Sequence, residues 1–257
     1  MGARLDQHYL VDSAARDAIA AAADIAPTDR VLEIGPGRGI LTKALLPAAA
    51  VVAVELDDLL AAQIATALSN PPNLRVVNAD FLRFDLGSLG PGPWKVAANL
   101  PYAVATPILQ RILAWPEWTV AVLMFQKEVA DRIAAPPGGA DYGLLTLSVA
   151  IHATAEFVVE LSPESFRPRP RVASAAVRLA RRPQPLVPPE EQKHFFRVAR
   201  AAFSQRRKMA LGVLAKSLGL ERERVAEAFS AEGIAPAARA ETISLEGWRG
   251  LARRLAP

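Results

Sequence analysis

The 257-residue chain contains no cysteine, which excludes disulfide bonds, thiolate metal sites and a cysteine nucleophile. It has only three histidines, His8, His152 and His194, and their wide separation argues against a histidine metal site. No apolar run approaches the ~20 residues that cross a bilayer, and the first residues lack the basic and apolar segments of a secretory signal. We therefore expect no bound metal, no membrane association and a cytoplasmic location.

The charge of the chain is unevenly distributed. Residues 1–159 contain 11 Lys/Arg against 16 Asp/Glu, a balance of −5, whereas residues 160–257 contain 19 against 10, a balance of +9. A near-neutral half joined to a basic half is typical of an enzyme that acts on nucleic acid. A solvated arginine-rich surface is the alternative interpretation.

Hydrophobic periodicity predicts strands that alternate with helices in the first two thirds of the chain. The predicted strands cover 31–34, 51–55, 74–80, 94–98 and 119–126, with two further β-rich runs at 144–151 and 173–179. The predicted helices cover 11–26, 40–46, 57–68, 105–113 and 127–134. This alternation predicts an α/β fold with a Rossmann-like, mostly parallel sheet and helices on both faces, and places ligands at the carboxyl ends of the strands.

A proline-rich linker at 183–189 indicates a domain boundary. The residues after it are predicted to be helical over 190–203, 206–218, 221–230 and 244–255. We therefore predict a cofactor-binding catalytic domain over 1–182 and a small helical domain over 183–257.

Three motifs follow successive predicted strands. Gly35 and Gly37 form a loop in which backbone can approach a ligand closely, although the spacing fits neither a Gly-x-Gly-x-x-Gly dinucleotide loop nor a P-loop. Glu55 ends the second strand, where a carboxylate can accept both hydroxyls of a ribose. Asp80 ends the third strand, where it can accept an adenine amine or simply cap a turn.

The tetrapeptide Asn99-Leu100-Pro101-Tyr102 follows the fourth strand. The Asn99 carboxamide oxygen and a backbone carbonyl of Leu100 or Pro101 can accept the two hydrogens of an exocyclic amine and turn its lone pair toward an electrophile. Pro101 stiffens the turn, and Tyr102 offers a face on which a base can stack. A proline turn with a core tyrosine is the simpler alternative. Together with the three upstream motifs, this corner predicts S-adenosyl-L-methionine, with its methyl group facing Asn99.

These residues resemble the rRNA adenine N6,N6-dimethyltransferases of the KsgA/RsmA type, and the resemblance covers nearly the whole chain. The motifs that carry it are Gln7-His8-Tyr9-Leu10, Val31-Leu32-Glu33-Ile34-Gly35-Pro36-Gly37, Val54-Glu55-Leu56-Asp57, Asn99-Leu100-Pro101-Tyr102, Gln126-Lys127-Glu128-Val129-Ala130, Tyr142-Gly143, Phe166-x-Pro168-x-Pro170-x-Val172-x-Ser174, Ala202-Phe203-Ser204-Gln205-Arg206-Arg207-Lys208 and Arg239-Ala240-Glu241-Thr242. Two departures are Asp6, where the family usually has glycine, and Ala173, where it usually has aspartate.

The resemblance implies further roles. His8 and Leu10 are expected to enclose the cofactor together with Asn99, and Phe166 is expected to stack on the target base opposite Tyr102. Three basic residues are expected to contact RNA, namely Arg206, Arg207 and Lys208. The implied reaction is dimethylation of two adjacent adenosines in the hairpin loop near the 3′ end of small-subunit rRNA, on a pre-ribosomal small subunit, by a monomeric enzyme.

Three alternatives remain open from the sequence. One is a large-subunit rRNA methyltransferase of the macrolide-resistance type. Another is a ribosome-assembly factor for which methylation is secondary. The third is a nicotinamide-dependent oxidoreductase, against which the glycine spacing and the Asn-Leu-Pro-Tyr corner argue.

Overall fold

The computed structural model describes residues 7–256, so Asp6 lies outside the described residues. The chain divides into two compact units. The first runs through Ala130 and resumes over Thr154–Arg181, and the second consists of Asp131–Ala153 and Arg182–Pro257. The predicted boundary after residue 182 lies one residue from the final passage between the units, but the second unit also includes the segment Asp131–Ala153.

The first unit is built on a seven-stranded mixed sheet in the order β4-β3-β2-β5-β6-β9-β7. Its strands are β2 (Arg30–Ile34), β3 (Ala50–Glu55), β4 (Leu74–Asn78), β5 (Trp94–Asn99), β6 (Trp118–Gln126), β7 (Ala153–Leu161) and β9 (Ser174–Arg181). A separate two-stranded sheet pairs β1 (Tyr9–Leu10) with β8 (Phe166–Arg167). Strands β2 to β6 pair in parallel and β9 joins β6 in the antiparallel direction, which confirms the predicted fold class.

Helices cover both faces of this sheet. They are α1 (Ser13–Ala23), α2 (Ile40–Leu45), α3 (Asp58–Ala67), α4 (Ala105–Ala114) and the start of α5 (Lys127–Ala134). Asp12 caps α1 by accepting hydrogen bonds from Ala14 and Ala15, and Asp57 caps α3 in the same way. Such caps satisfy backbone donors that have no partner inside the helix, and they fix where each helix leaves the loop at the sheet edge.

The strands at the centre of the sheet are apolar because both of their faces are covered. In β5, four of six residues are buried, and the same is true of five of six in β3. A parallel strand of this kind ends where its buried run ends. The polar side chains of Glu55 and Asn99 therefore stand at the carboxyl edge of the sheet, as the sequence predicts.

The second unit is helical. It contains the end of α5 and the helices α6 (Leu144–Ala150), α7 (Pro189–Phe203), α8 (Ala210–Leu218), α9 (Arg222–Ala231) and α10 (Leu245–Arg254). Its core is a cluster of buried apolar residues that includes Leu147, Phe195 and Trp248. Another core cluster, drawn from the first unit, includes Ile19 and Met124 and shares no member with it.

One prediction for the segment before β9 is wrong, and one strand there was not predicted. The apolar run 144–151 is the helix α6, and the strand β7 follows it. A short, continuously apolar run does not distinguish a buried helix from a buried strand. The helix forms because Thr146 closes a capping interaction with Gly143 and because Leu147 packs into the core of the second unit.

Candidate active site

A cavity lies at the carboxyl ends of β2, β3 and β5. It encloses about 1220 Å³, open solvent at its mouth included. Ten of the predicted site residues line it, namely His8, Leu10, Gly35, Gly37, Glu55, Asp80, Asn99, Leu100, Pro101 and Tyr102. Residues from four separate strand ends and from the N-terminal strand β1 therefore share one cavity.

The glycine loop after β2 is held by Glu55. The Gly37 N–H donates to Glu55 Oε2 at 3.0 Å, and the Asp57 N–H donates to Oε1 at 2.9 Å. Gly37 has a φ of +55°, and a Cβ placed on it would lie 3.0 Å from the Tyr9 ring, so that only glycine fits there. Each Glu55 oxygen still has a free lone pair, which leaves it able to accept a ribose hydroxyl.

A second carboxyl group, that of Glu33 on β2, faces the same cavity and is only 1% exposed. Its Oε2 atom has no hydrogen-bond partner. Burial is the main cause that raises the pKa of Glu33 to about 8; the negative charge of Glu55 contributes to the increase, and hydrogen bonding with Thr42 opposes it. A buried carboxyl oxygen without a partner is costly, and it suits a ligand that carries an ammonium group, as S-adenosylmethionine does.

Asp80 has the geometry of a turn cap. Its Oδ1 accepts the Leu82 N–H at 2.9 Å, and its carbonyl accepts the N–H of Phe84. Asp80 therefore caps a turn, which is the alternative role that the sequence left open. Oδ2 lies 3.8 Å from Arg83 Nε, too far for a hydrogen bond, and remains an acceptor at the cavity wall, beside the buried Phe81.

The turn at 99–102 after β5, which we call the acceptor corner, begins with Asn99. The amide nitrogen of Asn99 is engaged in a hydrogen bond, and its amide oxygen is left as an acceptor. Asn99 Nδ2 donates to the His8 carbonyl at 2.9 Å, which fixes the carboxamide with Oδ1 as its remaining acceptor. A Cβ on Gly35 would lie 4.0 Å from the Asn99 carbonyl oxygen, so the glycine loop and the corner are adjacent. Leu100 is buried, and Pro101 has a φ of −61°, which holds the turn.

Tyr102 is held by a residue to which sequence reasoning gave no role. Its hydroxyl lies 2.5 Å from the Ser174 hydroxyl, and Ser174 is fully buried. The His8 ring lies 5.5 Å from the Tyr102 ring, centroid to centroid. Ser174 is the first residue of β9 and pairs with Gln126 at the end of β6. The only signal in the sequence was its place in the Phe166-to-Ser174 motif.

Phe166 does not line the cavity. It is 0% exposed and packs with Leu10, Ala15 and Ile19 in the core of the first unit. Its strand is covered by β1, because Leu10 pairs with Phe166 in register. In this arrangement Phe166 presents no face to a base, and its stacking role stays a prediction.

The three predicted RNA contacts lie in the second unit, between α7 and α8. Arg206 donates to the carbonyls of Ala140 and Tyr142 at 2.8 and 2.9 Å, and its guanidinium lies 5.7 Å from the Phe203 ring centroid. It therefore supports the loop before α6. Arg207 and Lys208 are exposed.

Within residues 7–256, no group of three or more His, Cys, Asp or Glu side chains is arranged to hold a metal ion. No helix in this part of the chain has the length and apolar character needed to span a bilayer.

The sheet, the glycine loop and the acceptor corner define a Rossmann-like methyltransferase. The model of the family described as "Ribosomal RNA adenine dimethylase" matches residues 2–256. The chain is 41% identical over 262 residues to "Ribosomal RNA small subunit methyltransferase A" of Moorella thermoacetica, covering 97% of this chain and 90% of that protein. The protein of the same name from Geobacter metallireducens is 41% identical over 260 residues, with 98% and 94% covered.

Two solved structures share the fold over nearly the whole chain. The 23S rRNA methyltransferase ErmE has a TM-score of 0.78 at 31% identity, covering 96% of this chain and 99% of its own. A dimethyladenosine transferase from Plasmodium falciparum has a TM-score of 0.81 at 24% identity, covering 95% and 96%. The chain belongs to the ribosomal RNA adenine dimethylase family and is an S-adenosylmethionine-dependent rRNA adenine methyltransferase. The predicted family, enzyme class and cofactor are confirmed.

Proposed function

We propose that this protein dimethylates N6 of two adjacent adenosines in the hairpin loop near the 3′ end of small-subunit rRNA. The observation that carries the proposal is the orientation of Asn99, whose amide nitrogen is engaged by the His8 carbonyl, so that its amide oxygen is the acceptor left for a ligand in the cavity that Asn99 lines. The names of the relatives from Moorella thermoacetica and Geobacter metallireducens support the small-subunit substrate.

Asn99 Oδ1 and the Leu100 carbonyl accept the two hydrogens of the adenine amine. The amine nitrogen is a poor nucleophile because its lone pair is delocalised into the ring, and two acceptors favour a pyramidal nitrogen with an exposed lone pair. The same oxygens stabilise the positive charge that develops on nitrogen during transfer. When bound, S-adenosylmethionine supplies an electrophilic methyl group on its sulfonium.

One part of the cavity binds the cofactor in this proposal. Gly35 and Gly37 admit the methionine part of the cofactor, Glu55 accepts its ribose hydroxyls and Asp80 accepts its adenine amine. His8 and Leu10 enclose it from the N-terminal side. No residue of the cavity is needed as a general base early in the reaction, since the amine becomes acidic once alkylated and its proton can leave to water.

The target base stacks on Tyr102 after it has left its neighbours in the RNA loop, which suits a single-stranded or loop substrate. A second stacking contact from Phe166 requires its ring, which is buried in the core of the first unit, to become exposed. The exposed Arg207 and Lys208 contact phosphates of the RNA, while Arg206 holds the loop beside them. The enzyme acts as a monomer in the cytoplasm, on a pre-ribosomal small subunit.

A specific observation keeps a second candidate open. ErmE, a 23S rRNA methyltransferase, is 31% identical to this chain over nearly its full length. Methylation of large-subunit rRNA is therefore the alternative.

One experiment separates the two candidates. Both ribosomal subunits from a strain that lacks these methyl groups are incubated with the enzyme and labelled S-adenosylmethionine, and the rRNA is digested for mass spectrometry. We expect N6,N6-dimethyladenosine only in small-subunit rRNA. Label confined to large-subunit rRNA would favour the second candidate.

The same assay tests the acceptor corner. Asn99→Ala removes the amide oxygen, so we expect methyl transfer to fall by about 10²-fold or more while S-adenosylhomocysteine still binds. Gln63→Ala, which removes an exposed amide on α3 outside the cavity lining, is the matched control. Near-normal turnover by Asn99→Ala refutes the role of Asn99.

A further inference from the structure

The end of β8 and the loop that follows it carry three arginines in alternate positions, Arg167, Arg169 and Arg171, and all three are exposed. They also belong to the first unit, although the sequence count assigned them to the basic half.

This loop is attached to the acceptor end of the cavity. The Pro168 carbonyl lies 2.8 Å from the His8 ring nitrogen Nδ1, and the His8 carbonyl accepts the Asn99 amide at 2.9 Å. A single residue, His8, therefore links Asn99 to the middle of the arginine loop. The loop therefore lies two hydrogen bonds away from the residue that we propose to hold the target amine.

The three guanidinium groups differ in how much of them is already engaged. Arg167 donates to the carbonyls of Glu164 and Phe166 at 3.0 and 2.8 Å through one nitrogen. Arg169 lies 3.4 Å from the Glu164 carboxylate, with both side chains about 60% exposed, so solvent screens that pair strongly. Arg171 has no hydrogen bond or ion pair within the described part of the chain.

Pro168 and Pro170 fix two φ angles in the loop, so binding a ligand orders little additional backbone. Val172, the next residue after Arg171, is 45% exposed. A stiff, cationic loop with one exposed apolar side chain fits a polyanion that also has apolar edges, which describes single-stranded RNA better than an acidic protein surface.

We propose that the loop 167–171 is a phosphate-binding surface for the RNA strand that flanks the target adenosine, with Arg169 and Arg171 as the contacting residues. The proposal rests on the proposed function, because it takes the RNA base to enter beside Asn99. Phosphate contacts of this kind position the strand without reading its sequence. Their role is to hold the strand on both sides of the base that has left the stack.

The test measures binding of a fluorescent RNA with the sequence of the small-subunit 3′ hairpin, by anisotropy over a range of salt concentrations. We expect Arg169→Gln/Arg171→Gln to reduce the slope of log K against log salt by about 1.4, since each phosphate contact in a single strand contributes about 0.7. Arg169→Lys/Arg171→Lys should keep the wild-type slope, because it keeps the charge.

Arg75→Gln is the matched control, since Arg75 is exposed on β4 at the edge of the sheet. An unchanged slope for the double glutamine variant, or an equal fall for Arg75→Gln, overturns the proposal. A loss of S-adenosylhomocysteine affinity also overturns it, because the loop would then serve the cofactor. The readout needs no turnover, so failure of the proposed function appears separately, as wild-type enzyme that does not methylate small subunits.

Discussion

The two units of this protein handle charge in opposite ways. The first unit carries 15 Lys/Arg against 16 Asp/Glu, and the second 15 against 10. Nevertheless, both of the buried carboxyl groups among the described residues, Glu33 and Glu55, belong to the first unit and line its cavity. The second unit has an apolar core and keeps its excess of positive charge on the surface.

This contrast separates chemistry from affinity. Burying a carboxyl group costs stability, and functional sites are where such groups are retained. Surface cations cost little and act over the distance set by salt screening. We therefore expect changes in the cavity of the first unit to alter the rate of methyl transfer, and changes among the surface cations of either unit to alter the concentration of RNA that is needed.

The largest effect is expected from a substitution that destabilises only the second unit. Trp248 is 0% exposed and packs 5.6 Å from Phe203, centroid to centroid, in a core that shares no member with the core cluster of the first unit. Trp248→Ala should cost about 3–5 kcal/mol of unfolding free energy in urea. S-adenosylhomocysteine binding, measured by calorimetry, should persist at urea concentrations where the second unit has unfolded. Simultaneous loss of binding and helicity would show that the units unfold as one.

The pH dependence of the unfolding free energy tests the buried carboxyl group of Glu33 in the first unit. The pKa of Glu33 rises from an ordinary 4.5 to about 8 on folding, so the folded protein holds one proton more than the unfolded chain between those values. The contribution of Glu33 to the free energy of unfolding is therefore highest below pH 4.5, and it falls as the pH rises to 8. The loss is on the order of a few kcal/mol.

Glu33→Gln removes the titrating group while keeping the shape of the side chain. Urea unfolding of this variant should depend less on pH between 5 and 8 than that of the wild type. Equal pH dependence in the two proteins would show that Glu33 is ionised in the fold.

A smaller effect concerns the hydroxyl pair of Tyr102 and Ser174. Ser174→Ala leaves the Tyr102 hydroxyl without its partner, and an unsatisfied buried hydroxyl costs about 1–3 kcal/mol, which frees the ring to move. We expect kcat to fall about tenfold with the affinity for S-adenosylhomocysteine unchanged. Tyr102→Phe should give a similar fall, and the double variant no additional one. Additive losses would mean that the two residues act independently.

The smallest effect is expected on the surface of the second unit. Arg207→Gln and Lys208→Gln should each lower the slope of the salt dependence of RNA binding by about 0.7 with kcat unchanged. Lys216→Gln, exposed on α8, is the control. Arg206→Gln should instead lower stability, because it removes hydrogen bonds to Ala140 and Tyr142. A variant of Arg207 that changes kcat would contradict the claim that surface cations act on RNA affinity and not on the rate of methyl transfer.

Most elements of the fold were predictable because their periodicity is unambiguous. The helix α4 was predicted over 105–113 and runs over Ala105–Ala114, and β5 was predicted to within one residue. The clearest failure lies at 144–161, where a short apolar run is a helix and the following strand β7 was missed. In addition, the helix predicted over 206–218 begins only at Ala210, and the short strands β1 and β8 were not predicted. β7 has several exposed residues and lies at the edge of the sheet, so its pattern lacks the buried alternation that identifies a strand.

The sequence alone determined which residues can do the chemistry. The ends of the strands follow from the local sequence pattern, so the sequence alone places Glu55, Asp80 and Asn99 at one edge of a parallel sheet. The tertiary structure alone decided which groups are free to act. Contacts between residues far apart in the chain decide this: His8 accepts the Asn99 amide, and Ser174 bonds the Tyr102 hydroxyl. Phe166 is buried in the core, and Arg206 donates to carbonyls within its own unit. Such long-range partners leave no periodic signal, because each depends on packing that forms only when distant elements meet.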